Sequence, residues 1–345
     1  MRIGVMLAYW PWYTPAQQLE LALLADELGL DSVWVAEAWG QDVVSTLGVL
    51  AGRTSHVGLG TAIMQIPARQ PAAAAMAAAS IDVWSNGRMR LGLGLSGPQV
   101  SEGWYGVPFT HGLRRTREYV EIVRAALSGK RLTYEGQEWT LPLANGAGTG
   151  LGKPLKLLAH PVQKPIPIYL ATSTPKAIEQ TGAIADGWLP FMFAADGADE
   201  DLGHLRAGAE RAGRSLADID IAPTVNVALD EDIDAARDAL RPFLAFYMGS
   251  MGAKEKNFYV ELAERRGHGD AARRVQELGL AGDRAGAAAA IPARLIDDLA
   301  LTATPSTLDN RLAAYEAAGV TTLLAAVHGP NRTDTLRALA AAAHG

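Results

Sequence analysis

Glu37 is the residue whose type and place most invite chemistry. It stands in VWVAEAW, directly after an apolar run, Ser32–Ala36, that reads as a strand. An acid at the C-terminal end of a strand sits where barrel enzymes keep reactive groups. A helix cap or an ion pair would use the same residue and remains open. A second cluster is Thr172, Ser173 and Thr174 ahead of Pro175. Proline marks a first helical turn, and free N–H groups with hydroxyls at a helix N-terminus make an anion site. Plain helix capping by Thr174 is compatible with that. A third segment is SIDVWSNGRMRLGLGLSGPQ, Ser80 to Gln99. It predicts a helix end, a turn at Asn86-Gly87 and a strand over Arg90–Leu95. Gly92 and Gly94 lack side chains, so a flat ring could lie against that backbone.

Gly92–Gly97 also matches G-x-G-x-x-G. A dinucleotide site needs a helix to open inside the glycines. Here Gly97-Pro98 follows, and the next amphipathic run starts only near Gly112. The Rossmann reading is therefore disfavoured. Tyr9, Trp10, Trp12, Trp39 and Trp104 cluster near predicted strand ends. They could sandwich an apolar substrate or a cofactor ring, or simply be core. His111 and His160 are candidate proton donors, although a lone histidine is more often structural. No H-E-x-x-H or close His/Asp pairing occurs, so no metal site is expected. No G-x-S-x-G elbow supports a serine hydrolase.

Strands are predicted at Ile3–Ala8, Ser32–Ala36, Val57–Ile63, Arg90–Leu95, Ile166–Ala171, Gly187–Phe191, Ile219–Leu229 and Thr321–Val327. Helical runs alternate with them: Pro15–Leu28, Val43–Ala51, Pro71–Trp84, Pro175–Ala185, Asp199–Ala212 and Leu308–Ala318. Alternation of this kind predicts a parallel sheet, and eight strands close naturally into a (β/α)8 TIM barrel. The expectation is one domain over 1–345, with insertions at about 97–165 and 230–298. Both leave C-terminal strand ends, which places them as walls or lids of a site.

The 345 residues are 49% hydrophobic and 20% charged, a composition that supports a large core. The net charge is −6 with no basic cluster, against nucleic acid or an anionic membrane as partner. The absence of cysteine excludes disulfides and thiolate chemistry, and fits a cytoplasmic setting. The first residues read as a strand, too short for a signal-peptide core. No run is apolar enough to predict a membrane span.

LGLGLSGPQVSEGWYGVPF (91–109) followed by TREYVEIVRAAL, YLATSTPKAIEQTGAIADGWLP (169–190), FYMGSMGAKEKNFY (246–259) and AAYEAAGVTTLL (313–324) carry a likeness. They resemble the luciferase-like flavin and deazaflavin superfamily, and within it the actinobacterial coenzyme F420-dependent oxidoreductases. The resemblance spans the chain in order. It implies a (β/α)8 barrel with insertions, a homodimer, and a deazaflavin or FMN ring across the strand ends. It implies that Glu37 hydrogen-bonds the ring and that Ala62-Ile63 is a non-prolyl cis peptide behind it. It further implies that the cofactor phosphate lies at Thr172, Ser173 and Thr174, with Gly94, Ser96 and Gly97 alongside. Arg53, Arg69, Arg88 and Lys176 are candidates to meet an oligoglutamyl tail. Relatives that oxidise alcohols place a histidine beside the acid, where this chain has Ala38, so reduction is expected. The implied reaction is hydride transfer from the reduced deazaflavin C5 to an activated C=C, C=N or C=O bond. The alternatives are an FMN-dependent monooxygenase on the same barrel and a cofactor-binding protein without turnover.

Overall fold

The computed structural model describes residues 1–9, 11–251 and 257–344. Trp10 lies outside the described residues, as does part of the 246–259 segment. The strands are β1 (Arg2–Leu7), β2 (Ser32–Val35), β3 (Gly58–Thr61), β4 (Met64–Gln65), β5 (Met89–Gly94), β6 (Tyr134–Glu135) and β7 (Thr140–Leu141). They continue as β8 (Ile168–Leu170), β9 (Gly187–Trp188), β10 (Asp220–Ile221), β11 (Thr224–Leu229), β12 (Ala300–Ala303) and β13 (Thr322–Val327). Every residue of β2, β3 and β13 is buried. Strands covered on both faces are mostly apolar, which is why they read as near-continuous hydrophobic runs.

The chain forms two compact units. The first comprises Arg2–Phe191 and Asp199–Ala222. Its parallel strands lie in the order β10-β9-β8-β5-β3-β2-β1. Helices Pro15–Glu27, Val43–Ala51, Pro71–Trp84, Gly112–Leu127, Pro175–Ile184 and Asp199–Arg211 alternate with them. Thr14 opens the first helix with a capping box to Gln17, and Pro15 takes its first turn. The second unit comprises Met192–Ala198 and Pro223–Gly345, together with Met1. Its parallel strands lie in the order β13-β11-β12. Among the described residues, five helices lie between β11 and β12, in the second expected insertion, from Ile233–Ser250 to Ala293–Leu299.

All eight expected strands are present, with differences of detail. The run 57–63 stops at Thr61 and resumes as β4. The run 219–229 parts at Pro223, which has no N–H for a ladder. The expected strand Gly187–Phe191 contracts to Gly187–Trp188. β12 was not expected, because its ALTA sequence follows a helix with no breaker between them. A short helix, Pro98–Gly103, also stands where none was expected. It starts past the last glycine of the G-x-G-x-x-G run, not inside it, so the dinucleotide fingerprint still fails.

The first expected insertion contributes a helix and a hairpin. Helix Gly112–Leu127 packs against Pro71–Trp84 and Pro175–Ile184, which makes it a member of the outer helix row. Beyond it, β6 and β7 form the expected hairpin. The buried Glu118 carboxylate accepts N–H bonds from Gln137, Glu138 and Trp139 and ties that hairpin to the helix.

The interior of the first unit is keyed by aromatic rings set against glycines. Trp34 on β2 and Tyr169 on β8 meet edge to face, with centroids 5.0 Å apart. A Cβ at Gly60 would overlap the Trp34 indole, and one at Gly187 would overlap the Tyr169 ring. Trp34 Nε1 donates to Ser32 Oγ at 2.8 Å, and Tyr169 donates to Asp220 at 2.9 Å. Asp31 holds Arg90 through both carboxylate oxygens. Burial alone would raise the Asp31 pKa, but Arg90, Ser32 and Arg2 outweigh it and hold it below the usual range. Gly60→Ala should therefore cost about 1–3 kcal/mol through overpacking. Gly48→Ala, on an exposed helix position with open space around it, should be neutral or stabilising. Urea midpoints of the two variants check this; a Gly60→Ala midpoint equal to wild type would show that Trp34 is not fixed.

Candidate functional site

A bulge shapes the C-terminal end of β3. Gly60 pairs with Arg90 and Met64 pairs with Leu93, so one extra residue enters the β3–β4 side. The Thr61 hydroxyl bridges the gap, donating to the Gly92 carbonyl at 2.7 Å and accepting from its N–H at 2.9 Å. The Ala62-Ile63 peptide bond is cis, as the resemblance implied. Toward β2, Ala62 N–H donates to Val35 at 2.8 Å and Glu37 N–H donates to Ile63 at 3.2 Å. The glycines of β5 serve this bulge. A Cβ at Gly92 would overlap the Thr61 carbonyl, and one at Gly94 would overlap the end of Ile63. The space beside these glycines is thus taken up by the Thr61 carbonyl and by the side chains of Leu189 and Ile63.

Glu37 is buried just past β2, and both of its oxygens are engaged. Arg69 grips it in a fork, Nη1 to Oε2 at 2.9 Å and Nη2 to Oε1 at 2.8 Å. The Gln65 backbone N–H also donates to Oε2, at 2.8 Å. Arg69 Nη2 reaches Asp42 Oδ2 at 2.8 Å, and Asp42 caps helix Val43–Ala51 through Ser45. The Arg69 carbonyl in turn accepts from Tyr119 at 3.1 Å. Burial works to lower the Arg69 pKa, but hydrogen bonding and charge from Glu37, then charge from Asp42, raise it overall. For Asp42, burial works upward while the Ser45 bonds and Arg69 carry the pKa below its usual value. Glu37 is thus the anchor of an ion-pair cluster. The ion-pair reading, left open in the sequence, is what the geometry shows.

The loop Ala36–Gln41 is held by amides. Gln41 Nε2 donates to Ala36 at 3.1 Å, and Gln18 Nε2 reaches Gln41 Oε1 at 2.8 Å and the Ala8 carbonyl at 2.7 Å. Trp39 on this loop is 49% exposed and Trp104, at the end of helix Pro98–Gly103, is 64% exposed, so both are available to a ligand. Trp12 is half-buried. Thr172 bonds Thr181 at 2.8 Å, and its carbonyl accepts from Trp188 Nε1 at 3.0 Å. Thr174 is the N-cap residue of helix Pro175–Ile184, yet its side chain makes no capping bond. That corrects the capping reading and leaves the Thr174 hydroxyl outside the helix's own bonding, next to the half-buried Ser173.

The two histidine candidates stand apart from this cluster. His111 has a left-handed backbone at the start of helix Gly112–Leu127, and its Nδ1 is 3.2 Å from Glu138. His160 is exposed in the stretch between β7 and β8. Among the described residues, neither bonds to Glu37 or its partners. Of the four cations named for a tail, Arg69 is committed to Glu37 and Asp42. Arg88 precedes β5 and bonds Thr54 and Val57. Arg53 precedes β3. Lys176, exposed in the first turn after β8, remains on the C-terminal face. Among the described residues no group of three His, Asp or Glu could hold a metal, and no helix is long and apolar enough to cross a membrane.

Two polar features were not anticipated. Gln65 on β4 is 3% exposed; its Nε2 donates to Ser96 Oγ at 2.9 Å and its Oε1 has no partner among the described residues. An apolar-looking IMQIP context hid it. In the second unit, buried Asn226 on β11 meets His328, just past β13, at 2.9 Å, and Phe243 crosses the imidazole edge-on at 4.8 Å. The Asn226 Nδ2 has no partner. Burial first, and Arg332 second, push the His328 pKa down to about 3.

Arg69→Met strands the Glu37 charge in a buried place and should cost about 3–5 kcal/mol. Adding Glu37→Gln should recover a large part of that loss; a single variant with a wild-type urea midpoint would contradict the cluster. For His328 the folded pKa lies below the unfolded value of about 6.5. As pH falls below that value, the unfolded chain takes up a proton that the folded chain refuses, so stability is lost. At pH 5 the loss is about 2 kcal/mol. His328→Gln should therefore flatten the decline of melting temperature between pH 7 and pH 5; an equal decline in both proteins would contradict the assignment.

Comparison with known proteins places this geometry. The family model described as luciferase-like monooxygenase matches residues 1–322. The chain is 40% identical over 98% of its length, and 99% of the other's, to a Mycobacterium tuberculosis protein named "Putative coenzyme F420-dependent oxidoreductase Rv3520c". It is 30% identical to the 5,10-methylenetetrahydromethanopterin reductase of Archaeoglobus fulgidus, covering 91% of this chain and 90% of that one. Among solved structures it resembles the F420-dependent tetrahydromethanopterin reductase of Methanopyrus kandleri. The TM-score is 0.81 at 24% identity, covering 98% and 97% of the two chains, a likeness of fold. The fold is thus of the expected luciferase-like TIM-barrel type, and the chain belongs to the luciferase-like monooxygenase family.

Proposed function

We propose that this chain is a coenzyme F420-dependent oxidoreductase that works as a reductase on a small molecule. The observation that carries the reading is the 40% identity, across essentially the whole chain, to a protein named for that cofactor. The site accommodates such a group on its own terms. It offers an apolar side chain, Ile63, at the bulge, an unpartnered buried amide oxygen at Gln65, and a helix N-terminus whose Thr174 hydroxyl is not used for capping. When bound and reduced, the deazaflavin supplies a hydride from C5.

The protein's part is placement. Ala62, Ile63, Gly94, Ser96 and Gly97 would form the ring's wall and loop. Thr172, Ser173 and Thr174 would bring N–H and O–H donors to the phosphate, where charge-assisted bonds are strong. Glu37 acts through Arg69 and the Gln65 backbone, fixing the end of β4 beside the ring; it is a positioning residue in this reading. Trp39 and Trp104 would exclude water and receive an apolar acceptor, with Trp12 beside them. The acceptor is an activated C=C, C=N or C=O bond. Ala38, where alcohol-oxidising relatives carry histidine, favours the reducing direction. His111 and His160 are not assigned the proton.

Fluorescence titration should show F420 binding more tightly than FMN, and Ser173→Leu with Thr174→Leu should weaken F420 binding at least tenfold while the melting curve is retained. FMN binding as tight as or tighter than F420 would favour the monooxygenase alternative. An unchanged dissociation constant in the double variant would remove the phosphate from this helix.

A further inference from the structure

The side chain of Gln65 is built for a use that folding does not explain. It is buried at the end of β4, where its backbone N–H is already spent on Glu37. Among the described residues its amide has one partner, the Ser96 hydroxyl at 2.9 Å, and its Oε1 has none. A buried carbonyl oxygen left unpaired costs about 1–3 kcal/mol, so a native chain keeps one where something else completes it. Ser96 is itself unusual. It holds a left-handed backbone, φ 62°, directly after the β5 loop begins, and this turns its hydroxyl onto Gln65.

The partner's chemistry matters. A hydroxyl both donates and accepts. With Nε2 on Ser96, the amide presents an acceptor; rotated by half a turn, Oε1 accepts from the Ser96 O–H and Nε2 is presented as a donor. Both orientations keep the Ser96 bond. The pair can therefore offer either polarity to a ligand without losing its own anchor. A hydride-carrying heteroaromatic ring is the ligand class that exploits this. Two-electron reduction adds a hydride at carbon and a proton at a ring nitrogen, so that nitrogen is an acceptor when oxidised and an N–H donor when reduced.

We infer that the Gln65–Ser96 pair meets the polar edge of the bound ring and inverts its amide to match the redox state. The inference rests on the F420 reading above and assigns to Gln65 a recognition role beyond it. In consequence both redox forms are held, and Gln65 supplies a contact that a fixed donor or a fixed acceptor could make with only one of them.

The test is titration of wild type and variants with oxidised F420, read by its fluorescence, and with reduced F420 by anaerobic competition. Wild-type binding of F420 reports the underlying reading; no binding there overturns that reading and this inference with it. Given binding, Gln65→Met, similar in size and without hydrogen-bonding groups, should raise the dissociation constants of both forms at least fivefold. Gln65→Glu, which as a carboxylate can only accept, should raise the oxidised form's constant at least fivefold more than the reduced form's. Ser96→Gly, which suits the left-handed backbone, should weaken both forms at least threefold because the amide loses its anchor. Melting curves identify any variant that fails to fold, in which case Ser96→Gly decides alone. Constants within twofold of wild type in the folded variants, or a Gln65→Glu effect equal in both forms, overturn the inference.

Discussion

The forked pair between Glu37 and Arg69 is the interaction on which the rest of the site depends. Glu37 follows β2, Arg69 lies between β4 and helix Pro71–Trp84, and Asp42 caps helix Val43–Ala51. One guanidinium therefore ties together three segments. The same carboxylate takes the Gln65 N–H, which locks the strand just past the bulge. A buried charge pair is a weak source of stability, because desolvation offsets most of the attraction. Its contribution here is geometric: the bulge and the loop after β2 have one permitted arrangement, since any other leaves a charge unpaired.

From that anchor the strand-end surface follows. Thr61 substitutes a side-chain bridge for the missing ladder bonds, Gly92 makes room for the Thr61 carbonyl, and Gly94 makes room for Ile63. The result is an apolar side chain beside a small set of polar groups, an arrangement compatible with the proposed cofactor site. Beneath it, Trp34 and Tyr169 against Gly60 and Gly187 fill the strand interior, so the upper surface rests on a packed floor and not on a pore.

What the sequence made legible was periodic or punctuated. Unbroken apolar runs marked the strands because parallel strands are covered on both faces, and prolines at Pro15, Pro71 and Pro175 marked helix starts. The site was legible as a place more than as a mechanism. Glu37 reads from the sequence as an acid at a strand end, which is where it lies, but its partner Arg69 reads as a candidate for a cofactor tail, since pairing across 32 residues leaves no local pattern. Gly92 and Gly94 stand out in the sequence for lacking side chains, while the atoms that take up that space belong to residues distant in sequence. Gln65 and the Asn226–His328 pair went unseen because a polar residue in an apolar run signals nothing until its burial is known. β12 was hidden by composition, alanine and leucine continuing a helical pattern into a strand.

In the proposed function, the strand-end surface at Ile63 and the helix start at Thr174 together hold one deazaflavin. A crystal structure of the protein with F420 tests this most directly. The account predicts the ring in van der Waals contact with the Ile63 side chain and the phosphate within hydrogen-bond distance of Ser173 or Thr174. A ring placed away from Ile63, or a phosphate bound elsewhere with Ser173 and Thr174 facing solvent, would contradict it.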